Sequence, residues 1–178
     1  MMGGTHATAA REFLLPNAFN AVHTRMIKEA VHIPVFIGHN IFTPEEAEAM
    51  LAEGNGDFVA LGRSQLADPA WARKARCGKA GDIKPCINCM IGCIDKGRLG
   101  HTPIHCTVNP TLYKYECEPI TEAAEKKRVA IVGAGPAGCE AALTASKRGH
   151  QVTLFEKRGF GGAMVEASRP DNKANIRR

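Results

Sequence analysis

Four cysteines within 21 residues are the feature of this 178-residue sequence that most clearly predicts chemistry. They are Cys86, Cys89, Cys93 and Cys106, in the spacing C-x2-C-x3-C-x12-C. Thiolates this close in sequence readily converge on one soft metal centre. The pattern therefore predicts a metal site.

Two kinds of metal centre suit four sulfurs, and the spacing favours one of them. Structural zinc sites usually combine two C-x2-C turns or mix Cys with His. Here three cysteines crowd into one short turn and Cys106 comes from a separate loop, which is closer to the way an iron–sulfur cluster is held. A zinc site that includes His105 stays open as the alternative, as does a chance match without metal.

A glycine-rich turn indicates a second kind of site. The sequence Gly-Ala-Gly-Pro-Ala-Gly at 133–138 lies between a predicted strand over 128–132 and a predicted helix over 139–147. In such a G-x-G-x-x-G turn, Gly133 allows the tight bend, Gly135 lets a pyrophosphate approach the backbone, and Gly138 lets helix and strand pack closely. The context favours dinucleotide binding over a glycine-rich turn without a ligand.

Two neighbouring features support a nucleotide at this turn. The N-terminus of the following helix offers free N–H groups and a partial positive charge to phosphates. Glu156 ends the next predicted strand, over 151–156, and lies 23 positions beyond the first glycine. We expect its carboxylate to accept hydrogen bonds from the ribose hydroxyls of an adenine nucleotide.

The residues before the cysteines predict the elements that position them. Helices are expected over 20–31, 43–53 and 68–78, with buried parallel strands over 33–38 and 57–62. Thr43 and Glu46 form a predicted capping box around Pro44. The order predicts βα units on a parallel sheet, and residues 79–119 show no regular pattern.

The first predicted helix is amphipathic. We expect its apolar face to be buried and its charged residues, Lys28 and Glu29, to point outward. The residues of that apolar face are Val22, Met26, Ile27 and Ala30.

Composition limits the function classes. The chain is 44% hydrophobic and 23% charged, as ordinary soluble globular proteins are. It has neither an apolar run long enough to span a membrane nor the layout of a signal peptide, so we expect a cytoplasmic protein with reduced thiols and no membrane association. Its net charge of +5 is dispersed, which argues against a nucleic-acid partner.

Together these motifs resemble the iron–sulfur flavoenzymes of the 2,4-dienoyl-CoA reductase, 2-enoate reductase and trimethylamine dehydrogenase group, which contain an old-yellow-enzyme-like barrel. Three motifs occur in the group's order: Phe58–Arg63, the cysteines with Val108–Pro110, and Val129–Glu156 with Gly161 and Gly162. The resemblance implies an α/β fold made of three parts. These are the C-terminal part of an FMN-binding (β/α)8 barrel over 1–78, an irregular iron–sulfur segment over 79–120, and the first βαβ unit of a Rossmann-like FAD-binding domain over 121–178.

The resemblance also implies site residues beyond the cysteines. Gly62 and Arg63 would hold the FMN phosphate, with His39 and Asn40 at the corresponding place after the preceding strand, where the group has Gly-Arg. His6 resembles the group's active-site histidine, and the alternative is that it belongs to a disordered terminus. FAD would contact Gly133, Ala134, Gly135, Pro136, Ala137, Gly138, Glu156, Lys157 and Gly162.

The activity implied by the resemblance is that of an NAD(P)H-dependent oxidoreductase. Electrons would pass from FAD through a 4Fe-4S cluster to FMN and reduce the activated C=C bond of an enoate or unsaturated acyl substrate. This chain would be a fragment, with a complementing chain or a second copy of itself as candidate partner. The alternatives are a non-catalytic electron-transfer module that binds metal and nucleotide, and a zinc-stabilised remnant.

Overall fold

A computed structural model describes residues 19–112, 120–170, 173, 176 and 177. The chain divides into two compact units, residues 1–113 and 114–178. His6, the predicted active-site histidine, lies outside the described residues. None of the helices in the described ranges has the length and apolar character needed to cross a bilayer.

Two short parallel strands form the centre of the first unit. Strand β1 (Phe36–Gly38) pairs with β2 (Phe58–Ala60), and Ile37 lies opposite Val59. The predicted parallel pairing and the α/β class are confirmed. The helical elements are α1 (Ala21–Ala30), α2 (Pro44–Ala52), α3 (Arg63–Ala67), α4 (Trp71–Arg76), a 3₁₀ turn at Ala80–Asp82 and a π-helix at Ile91–Leu99.

Helix α2 begins and ends where the sequence predicts. The Thr43 hydroxyl accepts a hydrogen bond from the Glu46 N–H at 3.2 Å, and the Glu46 carboxylate accepts one from the Thr43 N–H at 3.2 Å. Pro44 occupies the first turn, where its missing N–H leaves no bond unmade. Gly54, with a φ of +73°, follows the end of the helix.

The two strands of the first unit are shorter and more exposed than predicted. Ile37 is fully buried against Ala47 and Trp71, whereas Phe36 is 64% exposed. Its ring stacks on Phe58 across the strands, with centroids 4.9 Å apart. Side chains alternate along a strand, so this sheet packs on one face only and the prediction of strands buried on both faces is wrong.

Helix α1 faces the sheet with its polar side. The residues predicted to form its buried apolar face are all exposed, namely Val22, Met26, Ile27 and Ala30. Instead, Lys28 forms an ion pair with Asp57 at 2.8 Å, and the Arg25 Nε donates to the Asn55 Oδ1 at 3.0 Å. The orientation predicted for this helix is therefore wrong, because the strand end presents polar partners that apolar side chains could not satisfy.

The segment predicted to lack regular structure contains a helix. Residues 91–99 form a π-helix, in which the Asp95 N–H donates to the Met90 carbonyl and the Gly100 N–H to the Asp95 carbonyl. These bonds span five residues, so apolar side chains do not follow the 3.6-residue period by which an α-helix is recognised. Cys93 lies on this helix.

The second unit has the predicted strand–helix–strand order. Strand β3 (Arg128–Val132) pairs in parallel with β4 (Gln151–Phe155), and helix α5 (Pro136–Lys147) connects them. Helix α5 begins three residues earlier than predicted, because Pro136 is well suited to a first helical turn. A short helix, α6 (Ala163–Ala167), follows.

Candidate metal centre and nucleotide-binding turn

The four predicted metal ligands line one cavity of the first unit. Cys86 is buried in a cluster with Phe42 and Ala67, against which Cys106 also packs. Cys93 reaches the cavity from the π-helix. Within the described ranges, no three Cys, His, Asp or Glu side chains form, as they stand, a set that could hold a metal ion.

Burial favours the protonated thiol at Cys86 and Cys93. It raises the pKa of Cys86 to about 11, and the neighbouring Cys93 and Cys106 act in the same direction. The Asn88 N–H and the charge of Arg63 oppose that rise in the pKa of Cys86. Burial likewise raises the pKa of Cys93, against the charge of Arg63. Binding a metal here must therefore displace protons.

The donor set fits a soft metal centre. Four sulfurs around a cavity with apolar lining residues such as Leu66 and Val108 suit an iron–sulfur cluster or zinc. The Cys89 Sγ lies 3.3 Å from the Thr107 hydroxyl, and hydrogen bonds to ligating sulfurs tune the potential of a cluster. His105 lines the cavity and is exposed.

Gly92 brings the π-helix and the loop of Cys106 together. A Cβ atom at this position would lie 2.2 Å from the His105 carbonyl oxygen. The His105 N–H donates to the Gly92 carbonyl at 3.3 Å. Any side chain at Gly92 would separate the two elements that carry Cys93 and Cys106.

A second cavity of the first unit, of about 260 Å³, is lined by all four residues predicted to contact FMN: His39, Asn40, Gly62 and Arg63. His39 and Asn40 follow β1 in left-handed conformations, with φ of +88° and +52°. Gly62 and Arg63 follow β2. The ends of two adjacent parallel strands thus supply the lining, as they do in phosphate sites of βα barrels.

Arg63 lines both cavities. Its Nη1 donates to the Asn88 Oδ1 and its Nη2 to the Asn40 Oδ1, and its guanidinium lies 5.7 Å from the centroid of the Phe42 ring. Both asparagines are buried, at 5% and 3% exposure. The sequence motifs identified Arg63 but not its contact with Asn88 in the cysteine turn (residues 86–93). No local pattern predicts a contact between residues 25 positions apart.

Asp68 holds the start of the cysteine segment, residues 84–109. Its carboxylate accepts hydrogen bonds from the Lys84 N–H at 2.9 Å, the Ala70 N–H at 2.9 Å and the Lys74 Nζ at 2.5 Å. Burial opposes its ionisation, but these bonds and the Lys74 charge outweigh it and lower the pKa of Asp68. The sequence indicated Asp68 as a helix start and as part of the stretch that resembles the family, but not its bond to Lys84.

Asn109 holds the end of the same segment. Its side-chain amide donates to the Leu66 carbonyl at 2.8 Å, and its Oδ1 accepts from the Thr111 hydroxyl at 2.8 Å. The side chain is buried at 5% exposure. Together with Asp68, Asn109 fixes both ends of the cysteine segment to the helices that follow β2.

The glycine-rich turn of the second unit is tightly packed at Gly138 and against Gly162. Gly133 has a φ of +99°, and a Cβ atom at Gly138 would lie 1.9 Å from the Gly133 carbonyl oxygen. A Cβ atom at Gly162 would lie 3.1 Å from the Gly135 Cα. The Gly161 N–H donates to the Ala134 carbonyl at 2.8 Å, so the glycine pair packs on the turn.

Glu156 contacts the same turn. Its Oε2 accepts from the Ala134 N–H at 2.7 Å and its Oε1 from the Arg158 N–H at 2.9 Å. These bonds, that of Ala134 foremost, lower the pKa of Glu156. Three other predicted FAD contacts are exposed: Pro136 and Ala137 in the turn, and Lys157 next to Glu156.

Comparisons with known proteins find flavin-dependent oxidoreductases among the relatives of this chain. Residues 128–176 match the family of FAD-dependent oxidoreductases. The chain is 46% identical over 153 residues to an NADH oxidase of Thermoanaerobacter brockii, covering 85% of this chain and 24% of the relative. It is 43% identical over 165 residues to the bilirubin reductase of Mediterraneibacter gnavus, covering 92% and 25%.

The fold has a close match among solved structures. A complex of 2-naphthoyl-CoA reductase with 2-naphthoyl-CoA matches 93% of this chain and 26% of its own, with a TM-score of 0.88 and 30% identity. This chain therefore spans about a quarter of the length of the relatives it matches.

Proposed function

Because this chain belongs, as a segment, to the iron–sulfur flavoenzyme group of 2,4-dienoyl-CoA reductase, 2-enoate reductase and trimethylamine dehydrogenase, we propose that it is the electron-transfer centre of an NAD(P)H-dependent enzyme that reduces activated C=C bonds. One observation carries this proposal. Four cysteines line a cavity that shares Arg63 with a pocket suited to a phosphate.

The proposed cofactor sites divide between the two units. Cys86, Cys89, Cys93 and Cys106 would hold a 4Fe-4S cluster, and the pocket at Gly62 and Arg63 the phosphate of FMN. The turn at 133–138, with Glu156, would hold FAD. These groups would supply hydride transfer from NAD(P)H, single-electron transfer and hydride transfer to the substrate.

The part of this chain in that chemistry is to bind and orient. Cys86 brings its sulfur from a buried cluster against which Cys106 packs, and this cluster would shield that side of a metal centre from water. Arg63 supplies a positive charge to the wall between the two cavities of the first unit. The three proposed parts are residues 1–78 (barrel), 79–120 (iron–sulfur segment) and 121–178 (FAD-binding unit). His6 would be an active-site histidine that donates a proton, or a hydrogen bond to a polarised carbonyl, of an enoate or unsaturated acyl substrate.

Metal and sulfide analysis of the anaerobically purified chain tests the proposal. We expect iron with matching acid-labile sulfide and a visible absorbance that bleaches on reduction. Cys89→Ser should lose most of both, because it removes one ligand from the set. Cys77→Ser is the matched control, since Cys77 is exposed and lies outside the cavity.

The same measurement can contradict the proposal. A colourless protein with one zinc ion, lost in Cys89→Ser, would replace the redox function by a structural one. Equal iron loss in Cys77→Ser and Cys89→Ser would show that the metal does not sit in the cavity.

The exposed face of the first unit suggests where a partner would bind. Phe36 and Phe58 stack on the side of the sheet away from the helices. We propose that a complementing chain or a second copy of this chain covers them. Sedimentation of the purified chain tests this, and a monodisperse monomer with Phe36 and Phe58 accessible would exclude self-association.

A further inference from the structure

Arg63 connects two sites that the motifs treat as separate. It lines both the phosphate pocket and the cysteine cavity, and its side chain is half-buried. One arm of its guanidinium donates to Asn40, in the pocket, and the other to Asn88, between Cys86 and Cys89. A planar guanidinium holds both arms in one fixed geometry, so the two asparagines constrain each other through it.

Both asparagines are suited to transmit that constraint. Each is buried, and each lies in a left-handed conformation, with φ of +52° for Asn40 and +53° for Asn88. Their backbones belong to the loop after β1 and to the cysteine turn, respectively. A shift of the cysteine turn would therefore move Asn88, then Arg63, then the wall of the phosphate pocket.

We propose that Arg63 is a shared positioning residue through which metal binding at the cysteines and phosphate binding in the pocket strengthen each other. A metal fixes the cysteine turn, the turn fixes Asn88, and Asn88 holds the guanidinium ready for a phosphate, which lowers the ordering cost of binding. By thermodynamic linkage, a bound phosphate group stabilises the metal-bound turn by the same factor. This inference rests on the proposed function, since it assumes occupants for both cavities.

FMN titration of the full chain, with its metal and after removal of the metal by a chelator, tests the coupling. Quenching of flavin fluorescence reports the Kd, and competition by inorganic phosphate shows that the phosphate pocket is occupied. We expect metal removal to weaken FMN binding about tenfold, within the range usual for coupled sites. FMN should in turn slow metal loss to the chelator.

Substitutions of Asn88 isolate the connection. Asn88→Gly tolerates the left-handed conformation and keeps all four cysteines, but it removes the acceptor for Arg63. We expect it to bind metal and to show the same FMN affinity with and without metal. Asn88→Asp keeps an acceptor and should restore most of the difference.

Asn109→Ala is the matched control. It removes another buried asparagine side chain of the cysteine segment, and with it the hydrogen bond to the Leu66 carbonyl, but does not affect the contacts of Arg63. We expect faster metal loss with an unchanged ratio of the two FMN affinities. A change of ratio in Asn109→Ala equal to that in Asn88→Gly would assign the coupling to general loosening of the segment and overturn the proposal.

The outcomes separate this inference from the proposed function. Equal FMN affinity of the wild-type chain with and without metal overturns the coupling, even if the metal is a cluster. Zinc in place of iron overturns the proposed electron transfer, and the affinity ratio still decides the coupling. A chain that binds no metal or no FMN overturns both.

Discussion

The two candidate cofactor sites are built from opposite materials. The cysteine cavity is held in place by buried polar side chains, among them those of Asp68 and Asn109. The glycine-rich turn is held by main-chain groups that approach closely where a side chain is missing, as Gly138 does to the Gly133 carbonyl. Among the described residues of the second unit, the buried ones are Ala134 and Ser168.

This difference teaches how each site should fail. A site held by side chains loses its geometry when a side chain is removed, because buried polar partners are left unpaired. A site held by close main-chain contact loses it when a Cβ atom is added. Substitutions that remove a side-chain contact should therefore damage the cysteine cavity, and substitutions that add a Cβ atom should damage the glycine-rich turn.

The largest effect is expected for Gly138→Ala. The new Cβ would lie 1.9 Å from the Gly133 carbonyl oxygen, so the turn or helix α5 must move. We expect FAD binding to be lost and the free energy of unfolding to fall by about 1–3 kcal/mol or more. FAD titration and urea unfolding of the full chain measure both.

Gly135→Ala is the control for this prediction. The nearest heavy atom to its new Cβ, the Gly162 Cα, would be 4.0 Å away. Stability should change by no more than about 0.5 kcal/mol, whereas FAD affinity should fall because pyrophosphate approaches the backbone there. Wild-type FAD affinity in Gly138→Ala would break the comparison.

Gly92→Ala tests whether an added Cβ atom also damages the site of the first unit. Its Cβ would lie 2.2 Å from the His105 carbonyl oxygen, which would separate the π-helix from the loop of Cys106. We expect loss of most of the bound metal and a fall in stability of about 1–3 kcal/mol. The metal-to-protein ratio measures it, with Gly81→Ala as control because open space surrounds Gly81.

The result would sharpen the comparison. If Gly92→Ala kept its metal, the cysteine cavity would depend on side chains alone. If it lost metal as expected, the cavity would need one close main-chain contact in addition to its side-chain bonds.

Among substitutions that weaken a side-chain contact, Asp68→Asn is expected to affect the cysteine cavity most directly. It removes the charge that pairs with Lys74 and weakens the bond from the Lys84 N–H. We expect the free energy of unfolding to fall by about 1–3 kcal/mol and metal loss to a chelator to speed up. Urea unfolding at neutral pH measures the first quantity, and unchanged stability would contradict the prediction.

The pH dependence of the free energy of unfolding gives a second test of the Asp68–Lys74 ion pair. The pKa of Asp68 is lower in the folded chain than its ordinary value of 3.8, so the ionised form stabilises the fold. That contribution is complete above pH 3.8 and is lost as the pH falls below it through the folded pKa. The stability curves of the wild type and Asp68→Asn should therefore converge in that range.

The smallest effect is expected for Glu156→Gln. The side chain is exposed, and Gln keeps an acceptor for the Ala134 N–H. We expect unchanged stability and a fall in FAD affinity of less than about tenfold, as for one hydrogen bond. A loss of FAD binding as complete as in Gly138→Ala would show that the turn depends on this side chain.

Elements that rest on neighbouring residues could be predicted from the sequence. The capping box of Thr43 and Glu46 involves residues three apart, and its bonds form as predicted. Strand β3 has the predicted bounds because its short apolar run leads directly into the glycine-rich turn. The four cysteines line one cavity, as their close spacing favours.

Features that rest on distant contacts could not be predicted. Helix α1 turns its polar side inward because Lys28 meets Asp57, 29 residues away. Arg63 reaches Asn88 across 25 residues. Local patterns carry no information on such pairs, because tertiary packing overrides them.

The cysteine turn also bears on the order in which the site assembles. Asn88 and Met90 both have positive φ, at +53° and +58°, and residues with a Cβ atom seldom visit that region in an unfolded chain. The side chain of Asn88 is held by its hydrogen bond from Arg63, which exists only once the strands and α3 have formed. The sulfurs should therefore gather after the first unit has folded, so that metal capture comes late in maturation and leaves an interval in which exposed thiols are open to oxidation.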